Sequence, residues 1–425
     1  MRRLFLILML FLAFNAHAET AGELRDKIAD TGKEIDKLEA EITKYRQEIN
    51  KLGKEANTLK TSIKELELND KKLTTQVKST ETQITKSKLN IAELELGILD
   101  KHTRIKKNNE SLASTLRALA ETTQKTRWEI LLSENTFSQV WRDIDNLQNL
   151  EKQTAILISD LKEIKADLEN TKLEEEKEKA KLEGLKNRLV GEKKAVLANK
   201  NEKESLLKVT KNKESNYNKL LQEKLTKKAI FEKEMEEYES KLKFILDPSK
   251  LPSKGVLSWP LDNIYITQRF GKTSASGRLY ASGTHNGADF RASVGTPVQA
   301  MGSGVVAGTG DTDRTCPYAS FGKWVLIKYD NGLASTYGHL SVISSSVGER
   351  VNSSDIVAYS GNSGHSTAPH LHVTVYAKDA VNVATRPSKA CPGKSYTVPV
   401  AALNAYLDPL YYLPPATAGM YKPGA

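Results

Sequence analysis

Before residue 248 the chain contains no proline, although thirteen follow. With proline absent and glycine sparse through residues 20–247, little in that stretch breaks a helix. Lys, Glu, Leu, Asn and Thr dominate it instead, whereas residues 251–425 are rich in Gly, Ser, Val, Tyr and Pro. Cysteine is nearly missing too. Cys316 and Cys391 are the only two, and neither sits in a close Cys/His pair with metal-ligand spacing. Long apolar runs are confined to Leu4–Phe14, which is too short to span a bilayer comfortably. Nor is one sign of charge absent. Residues 1–250 mix 49 basic with 44 acidic side chains and residues 251–425 mix 14 with 9, giving a net charge of +10 that is spread rather than blocked. Nucleic acid is therefore not the expected partner. Solvated helix faces account for most of the charge, and an anionic cell wall or membrane surface is the partner it suits.

What is present divides the chain. Met1-Arg2-Arg3, the apolar run and Ala16-His17-Ala18 form a secretory signal, residues 1–18, cleaved after Ala18; no cysteine follows to accept a lipid. The expectation is an exported protein, periplasmic or extracellular and associated with the cell wall. In that setting Cys316 and Cys391 form a disulfide, with two free thiols as the alternative. Residues 19–247 form a helical arm. Its first half follows a heptad rhythm through Ile28, Ile35, Leu38, Ile42, Ile49, Leu52, Leu59, Leu66, Leu73, Val77, Ile84 and Ile91, interrupted at Asp70 and Thr80. A less regular second rhythm runs from Leu157 to Ile245. Between them lies an apolar, aromatic tip near 127–150, which either packs on itself or docks a partner. Two such halves fold back as an antiparallel hairpin or self-associate in parallel. Residues 248–256 read as a linker, 257–415 as a mostly antiparallel β-sheet domain with turns such as Asp330-Asn331-Gly332, and 416–425 as a tail.

Five of the seven histidines lie between 285 and 372. His285 and Asp289 offer an imidazole and a carboxylate. His370 and His372 have the period-2 spacing that puts both on one face of a strand. Zinc accepts both ligand types, and a catalytic zinc keeps three protein ligands and one open position. Taken singly, each pattern is common by chance. His17 falls in the signal and His102 on the arm, so neither is a candidate.

The segments His285-Asn286-Gly287-Ala288-Asp289-Phe290, Gly295-Thr296-Pro297-Val298, Tyr337-Gly338-His339-Leu340-Ser341 and Ser360 to His372 resemble, in that order, the lysostaphin/LytM-type zinc metalloendopeptidases of bacterial cell walls. The resemblance covers residues 255–385. It implies one Zn2+ held by His285, Asp289 and His372, with His339 and His370 as catalytic histidines beside the attacking water and the scissile carbonyl. It leaves open which histidine does which. His365 stands at a variable position and is expected near the rim. Ala368 replaces the usual glycine, and the segment Asp311–Ser320 is longer than the matching loop, so that a Cys316–Cys391 bridge would brace it beside the cleft.

The implied function is hydrolysis of peptide cross-links in peptidoglycan during wall remodelling or division. A long arm on such a domain also resembles EnvC-like division proteins, whose arm docks on an ABC-transporter-like membrane complex. The alternatives are a non-catalytic activator of a cell-wall amidase and a structural protein whose terminal domain only binds wall glycan. Activators of that kind usually have lost metal ligands, and here all five residues are present. Intact ligands are also compatible with autoinhibition, an arm helix lying over the cleft until a partner draws it away.

Overall fold

The structure, a computed structural model, describes residues 21–52, 58–123, 137–242, 244–271 and 284–421. The signal sequence and residues 124–136 of the apolar tip lie outside this range. Among the described residues, four helices make the arm: α1 (Ala21–Leu52), α2 (Leu59–Thr123), α3 (Phe137–Thr210) and α4 (Glu214–Glu239). The chain forms two compact units, one comprising residues up to Asp36 with Thr82–Leu185, the other Lys37–Glu81 with Lys186–Ala425.

In the first unit, Asn90 reaches Glu178 at 3.2 Å and Lys101 pairs with Asp167 at 2.8 Å. As one number rises the other falls, so α2 and α3 run antiparallel. Trp141, at the described edge of the tip region, is 53% exposed.

The second unit continues the pattern, with Glu67 to Lys203 and Asn69 to Asn199 both at 2.8 Å. The heptad interruption at Thr80 has a partner. Its buried hydroxyl donates to Glu192 at 2.6 Å, so a polar pair replaces an apolar rung. Asn69 also donates to the Val294 carbonyl at 2.5 Å, and Leu73 and Ala195 pack on Tyr359, tying these helices to the β domain. Two left-handed residues, Lys211 and Asn212 (φ 48° and 54°), end α3, and α4 starts at Glu214. After α4, Asp247 accepts the Ser249 N–H at 3.0 Å and caps a single turn, Pro248–Lys250.

Among the described residues, the β domain is a ten-stranded sheet with a separate two-stranded ribbon. The path β1 (Ile266–Gln268), β2 (Ala288–Arg291), β9 (His370–Ala377), β6 (Leu333–Ile343), β5 (Lys323–Tyr329), β4 (Gly304–Asp311), β7 (Arg350–Val351) is antiparallel at every step. Off it, β8 (Ile356–Ser360) pairs with β3 (Pro297–Gln299) and β6, and β12 (Tyr406–Leu407) with β9; β10 (Asn382–Pro387) and β11 (Ser395–Val400) make the ribbon. Both faces of the sheet are covered, so strand sequences need not alternate apolar with polar. On β5, Val325, Ile327 and Tyr329 enter the main core, while Trp324 and Leu326 enter a second core with Tyr396 and Val398 of the ribbon and Phe231 and Met235 of α4. On β9, Leu371, Val373 and Val375 take the main core, which leaves His370, His372 and Thr374 to the opposite face.

Candidate active site

Strand register assembles the site. Asp289 on β2 lies directly opposite His372 on β9, and Gly338 on β6 lies on the other side of His372. Ala288 and Phe290 are in the core, so Asp289 faces outward, on the side of His372. Gly287 lets the strand pass: an added Cβ would lie 2.4 Å from the Val373 carbonyl and 2.8 Å from the His372 ring. His339 follows Gly338 with φ 59°, a left-handed conformation uncommon for a side chain larger than glycine. Its N–H is held by the Phe321 carbonyl at 2.8 Å.

His285 Nε2, Asp289 Oδ1 and His372 Nδ1 converge. His285 to His372 is 3.2 Å, His372 to Asp289 2.8 Å and His285 to Asp289 3.4 Å. The outer nitrogens are engaged elsewhere, His285 Nδ1 donating to the Arg269 carbonyl at 2.9 Å and His372 Nε2 meeting Thr374 Oγ1 at 3.0 Å. Three donor atoms this close, with their rings fixed from behind, could hold a metal ion. Ligand atoms at zinc's bond lengths in a tetrahedron stand about 3.3 Å apart, so the set fits such an ion. Among the described residues, it is the one such cluster of histidines and acids found. Burial opposes ionisation of Asp289, but the neighbouring His285 and His370, with hydrogen bonds from His285 and His372, outweigh it and hold the carboxyl well below the usual range. Burial pushes His372 down to about 4, despite Asp289.

His339 and His370 stand beside the triad, their ring centroids 4.7 Å apart. His339 Nδ1 donates to the Ser363 carbonyl at 2.9 Å, which leaves Nε2 as its free nitrogen. Burial, then the charge of His370 and His372, keeps His339 well below the normal histidine range, hence neutral. His370 Nδ1 donates to the Ala368 carbonyl at 2.8 Å, with Ser366 Oγ at 3.1 Å. The structure therefore brings all five residues singled out in the sequence to one cleft of about 410 Å³.

It also roofs that cleft. Leu225, Lys228, Phe231, Glu232, Met235 and Glu239, one face of α4, line it together with the histidines. Phe231 meets Phe321 edge-on at 6.4 Å and Tyr396 at 5.5 Å. Lys224 Nζ donates to the Ser366 carbonyl at 2.9 Å, and the Glu234 carboxylate accepts the Lys389 N–H at 3.0 Å. At the far end of α4, Glu239 accepts from Tyr406 Oη at 2.5 Å and from the Ala401 N–H at 3.3 Å. His365, expected at the rim, is buried instead, its Nδ1 donating to the Lys224 carbonyl at 3.1 Å. The α4 pattern of apolar residues three and four apart signals a packed face but not what it packs on. Cys316 and Cys391 are joined, fixing the loop after β4 to the segment before β11.

Residues 283–384, which contain this register and donor set, match Peptidase family M23, and the domain has relatives of lysostaphin/LytM type. The chain is similar to the peptidoglycan DD-endopeptidase ShyA of Vibrio cholerae, 43% identical over 88 residues, which is 21% of this chain and 19% of that protein. It is 40% identical over 90 residues to the glycyl-glycine endopeptidase ALE-1 of Staphylococcus capitis, covering 21% and 24%. Among solved structures, the catalytic domain of lysostaphin from Staphylococcus simulans aligns at 29% identity over 27% of this chain and 81% of that one, with a TM-score of 0.24. The chain thus spans about a fifth to a quarter of the length of these two curated relatives.

Proposed function

We propose that this protein is a zinc metalloendopeptidase that hydrolyses peptide cross-links of peptidoglycan, with α4 as a cover that must leave the cleft before substrate enters. The observation that carries the reading is the convergence of His285, Asp289 and His372 beside His339 and His370. His285, Asp289 and His372 would hold the ion, and zinc, when bound, would supply a Lewis acid that acidifies water and polarises a carbonyl. His339, neutral and with Nε2 free, takes the proton from the attacking water. His370, nearer solvent and with its Nδ1 proton directed back to Ala368, faces the scissile carbonyl, and the proton that His339 took from the water passes to the departing amine. Gly287 keeps side-chain bulk away from the His372 ring, and Gly338 keeps it away from the Phe321 ring. The two relatives named above, an endopeptidase of peptidoglycan and one of glycyl-glycine bonds, support the substrate class.

Export to the cell wall, and docking of the arm on an ABC-transporter-like membrane complex during division, complete the proposal. Such docking would act on α4 through α3, to which it is joined by three residues. The test uses zinc-loaded full-length protein carrying Phe231→Asp to undock α4, incubated with cross-linked peptidoglycan and read by mass spectrometry of muropeptides. Loss of cross-linked dimers, abolished by adding His372→Ala, is the expected result. Intact dimers with zinc bound would transfer the assignment to an amidase activator.

A further inference from the structure

Residues 312–322 connect β4 to β5. This segment is fixed internally: Thr312 Oγ1 donates to the Ala319 carbonyl and accepts the Gly322 N–H, both at 2.9 Å, and Cys316 is bonded to Cys391. From this rigid loop the half-buried side chain of Asp313 reaches across. Its Oδ2 accepts the Gly364 N–H at 2.6 Å while Oδ1 accepts the Tyr318 N–H at 2.9 Å, so the carboxylate cannot rotate.

The Gly364 N–H belongs to the same peptide group as the Ser363 carbonyl, and that carbonyl accepts His339 Nδ1–H at 2.9 Å. No described peptide bond is cis, so the N–H and C=O of this group point in opposite directions. Carboxylate, peptide and imidazole are therefore connected in sequence. A negative charge at the N–H end draws that proton and enriches the carbonyl oxygen at the other end, strengthening its hold on the imidazole proton. The peptide is itself pinned. Ser363 Oγ donates to Leu340 O at 2.7 Å and accepts from Lys323 N at 2.9 Å. Gly364 has φ +64°, and a Cβ there would stand 2.1 Å from Gly322 N.

We propose that Asp313 is a positioning residue for His339, acting through the peptide group between Ser363 and Gly364 to hold the imidazole in its Nδ1–H tautomer with Nε2 free. The catalytic importance of that tautomer rests on the peptidase reading; the relay itself does not.

The test is a long-range proton–nitrogen correlation spectrum of zinc-loaded full-length protein labelled with 15N in histidine, His339 being assigned by the signal lost in His339→Gln. The native protein should show His339 in the Nδ1–H form alone. In Asp313→Asn, and more so in Asp313→Ala, both nitrogen shifts should move toward the average of two tautomers with zinc content unchanged, while Arg314→Ala leaves them in place. In the Phe231→Asp background, Asp313→Asn should lower kcat about tenfold with KM unchanged, the loss expected for one charge-assisted hydrogen bond. A native His339 protonated on Nε2, or an Asp313→Asn spectrum with the tautomer intact, overturns the proposal. So does failure of both variants to fold, which would make Asp313 a stability residue only. A tautomer shift in a protein that cuts no wall peptide would leave the relay standing and remove the peptidase reading.

Discussion

At the scale of the residue, ligand and proton-handling roles separate by experiment. His372→Ala and Asp289→Ala should each abolish stoichiometric zinc on metal analysis of the purified protein, since two remaining donors hold the ion poorly. His339→Ala should keep its zinc and lose cross-link cleavage by about 10²-fold or more, the contribution of a positioned general base. Gly287→Ala places a methyl group against the Val373 carbonyl and the His372 ring. It should cost about 1–3 kcal/mol in denaturant unfolding and weaken zinc retention. Much of this was legible in the sequence. The period-2 spacing of His370 and His372 is a direct consequence of strand geometry, and the resemblance supplied Asp289. His365 was not legible, because what buries it is a helix some 140 positions earlier in the chain. Nor was Asp313, whose partners are backbone N–H groups, which no side-chain pattern records.

At the scale of the element, α4 is held by contacts that can be undone one at a time. Phe231→Asp should raise wall cleavage by the full-length protein, where an ordinary core substitution would only lower it. Glu239 gives the docking a pH dependence. Burial raises its carboxyl to about 7, against hydrogen bonds from Tyr406 and Ala401 that favour the ionised form. Because the folded pKa lies above the unfolded value, the docked protonated state is favoured below the model-peptide range, and the advantage is lost as pH rises through about 7. Hydrogen-exchange protection of α4, corrected for intrinsic rates, should therefore fall between pH 5.5 and 8. Glu239→Gln, which can still accept both bonds, should flatten that profile. The heptads announced helices but not their pairing; the antiparallel hairpin is set by pairs such as Asn69 with Asn199, 130 positions apart.

At the scale of the whole molecule, composition alone separated a helical arm from a β domain, and that division of secondary structure is observed. What composition does not convey is that the arm helices contribute to the compact unit that contains the β domain. Asn69, Leu73 and Ala195 do so through a carbonyl and a tyrosine ring, partners without a sequence signature. The Cys316–Cys391 bridge closes a separation of 75 residues. Its reduction should cost about 2–4 kcal/mol, seen as a lower melting temperature in reductant, and without reductant alkylation should leave the mass unchanged.

The turn at Lys211 and Asn212 is short, so an undocked α4 stays tethered beside the surface it has left. Short linkers hold a detached element at an effective concentration on the order of millimolar. Reclosure is then a first-order event, indifferent to how much protein is present. Each ~1.4 kcal/mol of docking energy lowers the resting open fraction about tenfold. With α4 as the proposed cover, the protein would reset itself when whatever opens it lets go, its background activity set by one helix face rather than by the abundance of an inhibitor.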